Sequence, residues 1–442
     1  MSDLPNGWVT ATLSELADFN PKHDPSRLGE AVSFVPMPAV SAESGTIEGA
    51  TERPLADVWK GFTHFADKDV IFAKITPCME NGKIAVAQGL TNGLGCGSTE
   101  FHVLRSNGSV LPEFLWRFLR QSSFRKDAEG AMTGAVGQRR VPTDYLRASE
   151  LPVPPLAEQR RIVAKLDALT ARTARARADL DRIPALAARY KQAVLAKAFS
   201  GELTGSNGVG WMESPISEIA KVGTGSTPKR SRAAYYQGGS IPWVTSSAVN
   251  RAYIDSADEF ITEQALRETN CKIFQPGTLL VAMYGEGQTR GRVSVLGIPA
   301  ATNQALAAIS IASAEVCRDY VYWFLRSQYL ALRRAAAGGV QPNLNLGIIK
   351  ATRIPVPTLE EQVKIVHLVD RAFGEIDRMT AEAAAAGRLL DRLDQAVLAK
   401  AFQGELVPQD PADEPASVLL DRIRAAPAAA PKTKRGRKPV AA

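Results

Sequence analysis

The sequence predicts an α+β protein in which two related domains are separated by two long helices that form an antiparallel coiled coil. Three observations support this fold class. Segments of the first half of the chain return in the second half at a constant offset of 203 residues. Apolar or small residues recur at alternating steps of four and three through more than four heptads of each half. The remaining segments mix short β-type runs with Gly, Pro and Asn turns.

The composition is that of a globular protein, because 45% of the 442 residues are hydrophobic and 22% are charged. The cysteines and histidines form no CxxC pair and no ligand cluster, which argues against a disulfide framework or a metal site and favours a reducing compartment. These residues are Cys78, Cys96, Cys271, Cys317, His23, His64, His102 and His367. No apolar run approaches the ~18 residues of a membrane span and the start lacks a signal-peptide pattern, so we expect a cytoplasmic protein.

Three pairs of segments define the repeat. LPVPPLAEQRRIV (151–163) returns as IPVPTLEEQVKIV (354–366), QAVLAKAFSGEL (192–203) as QAVLAKAFQGEL (395–406), and Gly7-Trp8 as Gly210-Trp211. One offset across a whole half-chain indicates duplication of a complete unit with a pseudo-twofold relation. The predicted parts are a first domain over 1–154, a helical spacer over 155–203, a second domain over 204–357, a second spacer over 358–406 and a disordered basic tail over 407–442.

Between these paired segments the two halves diverge. DVIFAKI (69–75) corresponds to GTLLVAM (277–283), both predicted as buried strands, and FLWRFLR (114–120) corresponds to YVYWFLR (320–326), an apolar helical stripe. The chain therefore has a constant frame around variable contents.

The helical spacers carry apolar seams in identical register. The seam positions are Ile162, Leu166, Leu169, Thr173, Ala176, Leu180, Ile183, Ala187, Tyr190 and Val194, and then Ile365, Val369, Ala372, Ile376, Met379, Ala383, Ala386, Leu390, Leu393 and Val397. Each helix would span ~60 Å at 1.5 Å per residue, which suits an antiparallel pair with one domain at each end. Thr358 and Glu361 predict a capping box, and Pro184 and Gly387 leave open whether the helices kink or break.

Catalytic and nucleotide-binding motifs are missing from the sequence. It contains no GxxxxGK(S/T), GxGxxG, HExxH or GxSxG segment, and no Asn/Asp-Pro-Pro-aromatic tetrad of the kind that amino-methyltransferases use to hold a flipped base. Isolated acids such as Glu80 and Glu286 lie in glycine-containing loops, where a solvated charge is the usual role. We therefore predict a non-catalytic binding component, with no metal site.

Two loops are candidate recognition elements. KITPCMENGK (74–83) and MYGEGQTRGR (283–292) follow corresponding strands and combine Gly turns with basic residues, which can contact phosphates or guanine edges. An ordinary hairpin with solvated charges is the equally weighted alternative. The predicted DNA-binding residues are Lys22, Lys74, Lys83, Arg139, Arg140, Lys229, Arg230, Arg232, Arg290 and Arg292.

The formal net charge of +7 lies in the tail. Residues 422–442 hold seven Lys and Arg and no acid, so the rest of the chain is formally neutral. Any DNA binding by the body must then depend on local basic surfaces. Arg435-Gly436-Arg437-Lys438-Pro439 resembles an AT-hook core, and a generic basic tail is the alternative.

The whole chain resembles the specificity subunit of a Type I restriction–modification system. The resemblance lies in the paired P-x-P-x-L-x-EQ-x-x-IV segments at 152–163 and 355–366, the paired QAVLAKAFxGEL segments and the loop TPCMENGK, and it covers about residues 1–406. It implies two target-recognition domains, each reading one half of a split site in double-stranded DNA, with the helix pair as spacer.

The resemblance also implies partner subunits. Two methyltransferase subunits would dock on the helices and restriction/translocase subunits would join them, and these partners, not this chain, would bind S-adenosylmethionine, ATP and Mg²⁺. The residues expected to bind partners are Glu158, Gln159, Phe199, Glu361, Gln362 and Phe402. The alternative function is a coiled-coil scaffold that joins two protein-binding domains.

Overall fold

The computed structural model describes residues 4–284, 289–336 and 344–425, and the chain divides into two compact units. Unit 1 comprises residues 1–180 and 385–442, and unit 2 comprises residues 181–384. Each unit contains one α+β domain, the beginning of one long helix and the end of the other. None of the described helices has the length and apolar character needed to cross a membrane.

Unit 1 begins with a mixed α+β domain. Its strands are β1 (Val9–Thr12), β2 (Ala17–Phe19), β3 (Ala31–Val35), β4 (Thr51–Pro54), β5 (Thr63–Ala66), β6 (Val70–Ala73), β7 (Ile84–Val86), β8 (Leu94–Gly97), β9 (Phe101–Ser106) and β10 (Glu150–Val153). Its helices are α1 (Leu13–Leu16), α2 (Leu55–Val58), α3 (Pro112–Leu119), α4 (Ser122–Gly130) and α5 (Thr143–Ala148), with 3₁₀ turns at Pro25–Arg27, Met37–Ala39 and Thr91–Gly93.

Among the described residues of unit 1, the strands form sheets in the orders β2-β9-β6-β7 and β4-β3-β8-β5, and β1 pairs with β10. Strand β6 shows why the sequence DVIFAKI is apolar throughout. Alternate side chains of a strand point to opposite faces of its sheet. Val70 and Phe72 therefore pack with the helices on one face, and Ile71 and Ala73 pack into a second cluster on the other.

Unit 2 repeats this plan. Its strands are β11 (Met212–Pro215), β12 (Ala220–Thr224), β13 (Ile241–Val244), β14 (Tyr253–Ile254), β15 (Glu259–Ile261), β16 (Ile273–Phe274), β17 (Leu279–Ala282), β18 (Val293–Leu296), β19 (Ala300–Thr302), β20 (Leu306–Ile311) and β21 (Arg353–Val356). Its domain helices are α7 (Ile216–Ile219), α8 (Glu263–Glu268), α9 (Arg318–Ser327), α10 (Tyr329–Ala336) and α11 (Leu346–Ala351), with 3₁₀ turns at Ala233–Tyr235 and Ser246–Asn250.

The sheet orders of unit 2 match those of unit 1 except for one additional edge strand, β14. They are β12-β20-β17-β18-β14 and β15-β13-β19-β16, and β11 pairs with β21. The parallel pair β3–β8 of unit 1 recurs as β13–β19, inside sheets that are otherwise mostly antiparallel. The predicted fold class, two related α+β domains with two long helices, is confirmed.

The long helices α6 (Leu156–Phe199) and α12 (Leu359–Phe402) have 44 residues each. Helix α6 continues through Pro184 and helix α12 through Gly387, so neither residue ends its helix. The Thr358 hydroxyl accepts the Glu361 backbone N–H at 3.3 Å, which is one half of the predicted capping box. The Glu361 carboxylate accepts instead from Thr204 and Trp211.

In each unit the two helices run antiparallel. In unit 1, Ile162 near the start of α6 shares a core with Phe402 at the end of α12, and Arg177 donates to Asp391 at 2.7 Å. In unit 2, Val194 shares a core with Ile365, and Lys191 Nζ lies 2.5 Å from Asp377 Oδ1.

The seam prediction is wrong at four positions that face solvent: Ala176, Tyr190, Met379 and Leu393. A repeat of 3.5 residues drifts by about 20° per heptad around a straight helix of 3.6 residues per turn. Near the helix ends, burial therefore moves to residues such as Leu195 and Ala401, which pack into the domain cores.

The tail prediction is also wrong in part, because a helix α13 (Ala416–Ala425) follows the second spacer. Ala416 and Leu420, four residues apart, enter the core of unit 1, and Arg424 donates to Glu15 at 2.6 Å. Residues 426–442, with the AT-hook-like segment, lie outside the described part of the chain.

Candidate nucleic-acid interface

The structure joins two of the predicted basic segments of unit 1. Loop 74–83 leaves the end of β6, and the segment before α5 returns beside it. The Thr76 backbone N–H donates to the Arg139 carbonyl at 3.0 Å, and the Val141 N–H donates to the Lys74 carbonyl at 2.8 Å. Lys74 therefore lies beside Arg139 and Arg140 in the structure, although it is more than sixty positions away from them in the sequence.

The two arginines of this feature have carboxylate partners. Arg140 donates to both carboxylate oxygens of Glu100, from Nη2 to Oε1 at 2.8 Å and from Nε to Oε2 at 2.9 Å, and these hydrogen bonds lower the pKa of Glu100. Arg139 Nη2 lies more loosely, 3.8 Å from Glu80 and 3.6 Å from Glu129. Arg140 thus holds the segment in place, and a phosphate contact by either arginine stays a prediction.

Lys22 and Lys74 line one small cleft of about 180 Å³. Its walls carry further polar groups from several elements: Asn20, Thr63, His64, Thr99, His102 and Thr143. Burial lowers the pKa of both imidazoles, so they are neutral near pH 7 and the lysines supply the positive charge. Lys83 is directed elsewhere, because its ammonium donates to the Met37 carbonyl at 3.1 Å.

The prediction that histidine and cysteine form no cluster is wrong in unit 1. Strand pairing places His64 opposite Cys96, and His23 stacks on His64 with ring centroids 4.8 Å apart. His23 Nε2 bonds the Gly95 carbonyl at 2.8 Å, and His64 Nε2 bonds the Trp59 carbonyl at 2.9 Å. Burial lowers the pKa of both imidazoles and raises the pKa of Cys96 to about 11. The neutral, stacked rings form a polar part of the core.

In unit 2, two of the predicted basic residues of segment 229–232, Arg230 and Arg232, lie over aromatic rings. The Arg230 guanidinium lies 4.9 Å from the Tyr236 ring and 5.0 Å from the Trp243 ring and pairs with Glu259. Arg232 lies over Tyr235 and lies 2.9 Å from Glu268. Lys229 is exposed on the same segment.

A larger cleft of about 710 Å³ in unit 2 contains Arg292. Arg292 donates to the Asn250 side chain at 3.0 Å, and the Arg290 carbonyl accepts from Arg333 at 3.1 Å. The sequence interpretation missed the other cationic and aromatic lining residues: Lys191, Arg251, Tyr322, Arg326, Tyr329, Arg333 and Phe373. Arg326, which ends the apolar stripe YVYWFLR, was the sequence signal for this cationic and aromatic lining. Glu286 lies outside the described residues.

The EQ pair at the start of α6 ties the helix to its own domain. Glu158 accepts from Trp8 Nε1 at 3.1 Å and from Gln409 Nε2 at 3.2 Å, and burial raises its pKa. The fully buried Gln159 accepts from the Leu111 N–H at 2.8 Å and donates to the carbonyls of Ser109 and Pro154 at 3.0 Å.

The equivalent pair at the start of α12 makes equivalent bonds in unit 2. Glu361 accepts from Trp211 Nε1 at 3.2 Å, which repeats the Trp8 bond. Gln362 accepts from the Cys317 N–H at 2.8 Å and donates to the carbonyls of Glu315 and Pro357.

The phenylalanines of the AKAF segments also pack internally. Phe402 contacts Phe114 with ring centroids 4.8 Å apart, and Phe199 contacts Tyr320 at 5.3 Å. The assignment of the EQ pairs and these phenylalanines to partner binding therefore needs correction. Their side chains are wholly or largely buried against their own domains, where they attach the start of one helix and the end of the other.

The structure exposes a different repeated surface on the long helices. Leu186 and Tyr190 on α6 are 56% and 63% exposed, and their equivalents Leu389 and Leu393 on α12, 203 positions later, are 60% and 49% exposed. We call each exposed pair a helix patch. The sequence contained the recurrence of Leu186 as Leu389, but the heptad pattern predicted Tyr190 and Leu393 to be buried, so the exposure of these patches came from the structure.

A family model for the Type I restriction modification DNA specificity domain matches residues 5–184 and 208–384. The chain is 41% identical over 168 residues to the Type I restriction enzyme EcoAI specificity subunit of Escherichia coli, which is 38% of this chain and 28% of that protein. It is 28% identical to the EcoKI specificity subunit of Escherichia coli strain K12 over 76% of each chain. The chain thus aligns with less than a third of the length of the first of these relatives.

Solved structures share the fold. The HsdS subunit from Thermoanaerobacter tengcongensis superposes with a TM-score of 0.67 at 24% identity, over 91% of this chain and 98% of that one. A chain from a structure of a type I R-M system gives a TM-score of 0.74 at 24% identity, over 92% and 100%. Since the family model matches most of both halves, the chain belongs to the family of Type I restriction–modification DNA specificity domains.

Proposed function

We propose that this chain is the DNA-reading subunit of a Type I restriction–modification complex and that each unit reads one half of a bipartite site. The observation that carries this proposal is that the two units share one strand order, apart from the extra edge strand β14, but present different basic side chains. Unit 1 offers the Lys22–Lys74 cleft, whereas unit 2 offers Lys229 beside the stacked Arg230. Two domains with one scaffold and different contact residues suit two different half-sites.

The helix patches support docking of two copies of one partner. Their leucines are exposed apolar side chains in register with the repeat, and Arg189 and Arg392 lie beside them at equivalent positions. A protein that binds one patch finds nearly the same chemistry at the other. We assign these surfaces to two methyltransferase subunits, and restriction/translocase subunits would join that core.

Catalysis would belong to the partners. They would bind S-adenosylmethionine, ATP and Mg²⁺, and this chain would supply position and sequence choice on cytoplasmic DNA. The competing function, a scaffold for two protein-binding domains, predicts no preference among DNA sequences.

The test is to express the chain with its methyltransferase partner in a methylation-free host and to map modified adenines across the genome. The proposal predicts one motif made of two specified parts separated by a fixed unspecified gap. Methylation without a motif, or no sequence preference of the purified complex in mobility-shift assays, would favour the scaffold.

A further inference from the structure

A hairpin in unit 1, residues 133–140, carries an apolar residue at its tip. Thr133 and Arg140 exchange two backbone hydrogen bonds of 2.8 and 3.0 Å, and the Gln138 N–H closes the turn on the Ala135 carbonyl at 2.9 Å. Val136 lies within that turn and its exposure is 101%, that of an isolated residue. The valine side chain therefore has no packing role in its own domain.

The base of this hairpin is held firmly. It is bonded to loop 74–83 by the Thr76 N–H and to β9 by His102, which bonds the Val141 carbonyl at 2.9 Å. Gly134 has a φ of +121°, and a Cβ there would lie 3.0 Å from the Gln138 carbonyl oxygen, so a glycine is needed to form the turn. The bonded base therefore holds the exposed side chain of Val136 in a fixed position, from which it can insert into a binding partner.

The second half of the sequence contains a similar segment at the corresponding place. Gly134-Ala135-Val136-Gly137-Gln138 lies between α4 and α5, and Gly338-Gly339-Val340-Gln341 lies between the equivalent helices α10 and α11. The second segment lies outside the described residues. Both halves nevertheless place a valine between or after glycines and close to a glutamine, in a region where they otherwise differ.

We propose that Val136 inserts between two adjacent base pairs of the half-site read by unit 1, unstacking that step and bending the duplex. This inference rests on the proposed DNA-reading function. Proteins that deform DNA use apolar side chains as wedges of this kind, and flanking glycines let the backbone approach the bases. Lys74 and the loosely paired Arg139 at the hairpin base lie where cations would contact the neighbouring phosphates.

The experiment uses the complex of this chain with its methyltransferase partner. Duplexes carrying 2-aminopurine are prepared with the probe at each purine of the cognate site except the methylated adenine. The fluorescence of 2-aminopurine rises when its base loses stacking. We expect a rise at one step of the unit 1 half-site, its loss in Val136→Ser, and about tenfold weaker binding of cognate DNA by this variant, since burying a valine-sized group contributes at least that factor.

The matched control is Val209→Ser, which removes an equally apolar residue that is 81% exposed outside the hairpin, and it should change neither signal. If Val136→Ser binds cognate DNA with unchanged affinity and fluorescence, the wedge is refuted while the reading function stands. If it instead loses the methyltransferase partner in the absence of DNA, the tip is a protein contact and the proposal is overturned. Absence of any cognate preference in the unaltered complex would refute the underlying function itself.

Discussion

Gln159 allows a direct test of how the frame holds its domain. Its buried amide bonds three backbone groups of unit 1, at Leu111, Ser109 and Pro154, at distances of 2.8, 3.0 and 3.0 Å. Gln159→Ala removes these partners together. Leaving a buried polar group without its partner costs about 1–3 kcal/mol. Taking the lower end for each group, we expect the free energy of unfolding of unit 1 to fall by about 3 kcal/mol.

Hydrogen exchange followed by mass spectrometry measures this loss locally. A change of about 3 kcal/mol corresponds to a loss of protection of roughly a hundredfold for amides that exchange by opening of unit 1. Gln362→Ala is the reciprocal control, because its amide makes the equivalent bonds in unit 2. A loss below about 1 kcal/mol, or equal deprotection of both units by either variant, would refute the argument that each glutamine anchors its own domain.

Three further predictions concern the frame and the tail. Burial raises the pKa of Glu158, so the contribution of this residue to the stability of unit 1 is lost as pH rises above 4.5. Burial opposes the ionisation of Glu361 as well, but hydrogen bonds from Ser206, Thr204 and Trp211 lower its pKa. The contribution of Glu361 to the stability of unit 2 is therefore lost as pH falls below 4.5. Stability is measured by denaturation of the Glu158→Gln and Glu361→Gln variants between about pH 3 and 7. The two substitutions should change the slope of stability against pH in opposite directions, and changes in the same direction would contradict this. Replacing both apolar residues of one helix patch by serine should reduce the number of bound methyltransferase copies from two to one, as measured by native mass spectrometry. The control Met379→Ser alters an exposed residue outside the patches and should leave two copies bound. Deleting residues 426–442 removes five Lys and Arg. The slope of the logarithm of the DNA-binding constant against the logarithm of salt concentration should become less steep by up to roughly 4.5, at about 0.9 per phosphate contact, while the preference for cognate DNA stays the same. Loss of the cognate preference without loss of non-specific affinity would favour the AT-hook.

Much of the fold could be predicted because the two repeated halves of the chain can be compared with each other. The 203-residue offset marks both long helices and both edge strands β10 and β21, and heptad spacing predicts their packing. The apolar runs 69–75 and 277–283 indicate strands buried on both faces, as β6 and β17 are.

The roles of the frame residues could not be predicted in the same way. Glu158 and Gln159 look like a surface motif in a linear sequence, because nothing there shows that Trp8 and Ser109 meet them. Tyr190 and Leu393 fit the heptad pattern, yet the domains cover the neighbouring face of each helix and leave these residues outside. His64 and Cys96 meet through the pairing of β5 with β8, and His23, 73 positions before Cys96, joins them from a loop that bonds Gly95. Long-range contacts of this kind are absent from local patterns.

Whether each unit reads one half-site is tested by exchanging residues 209–353 for the matching segment of a relative with a known motif and mapping adenine methylation by the resulting complex. The exchange leaves unit 1 and the helix patches unchanged. If each unit reads one half-site independently, the new motif will keep one half and acquire the relative's other half. A motif in which both halves change, or neither does, would show that the two units do not read separate half-sites.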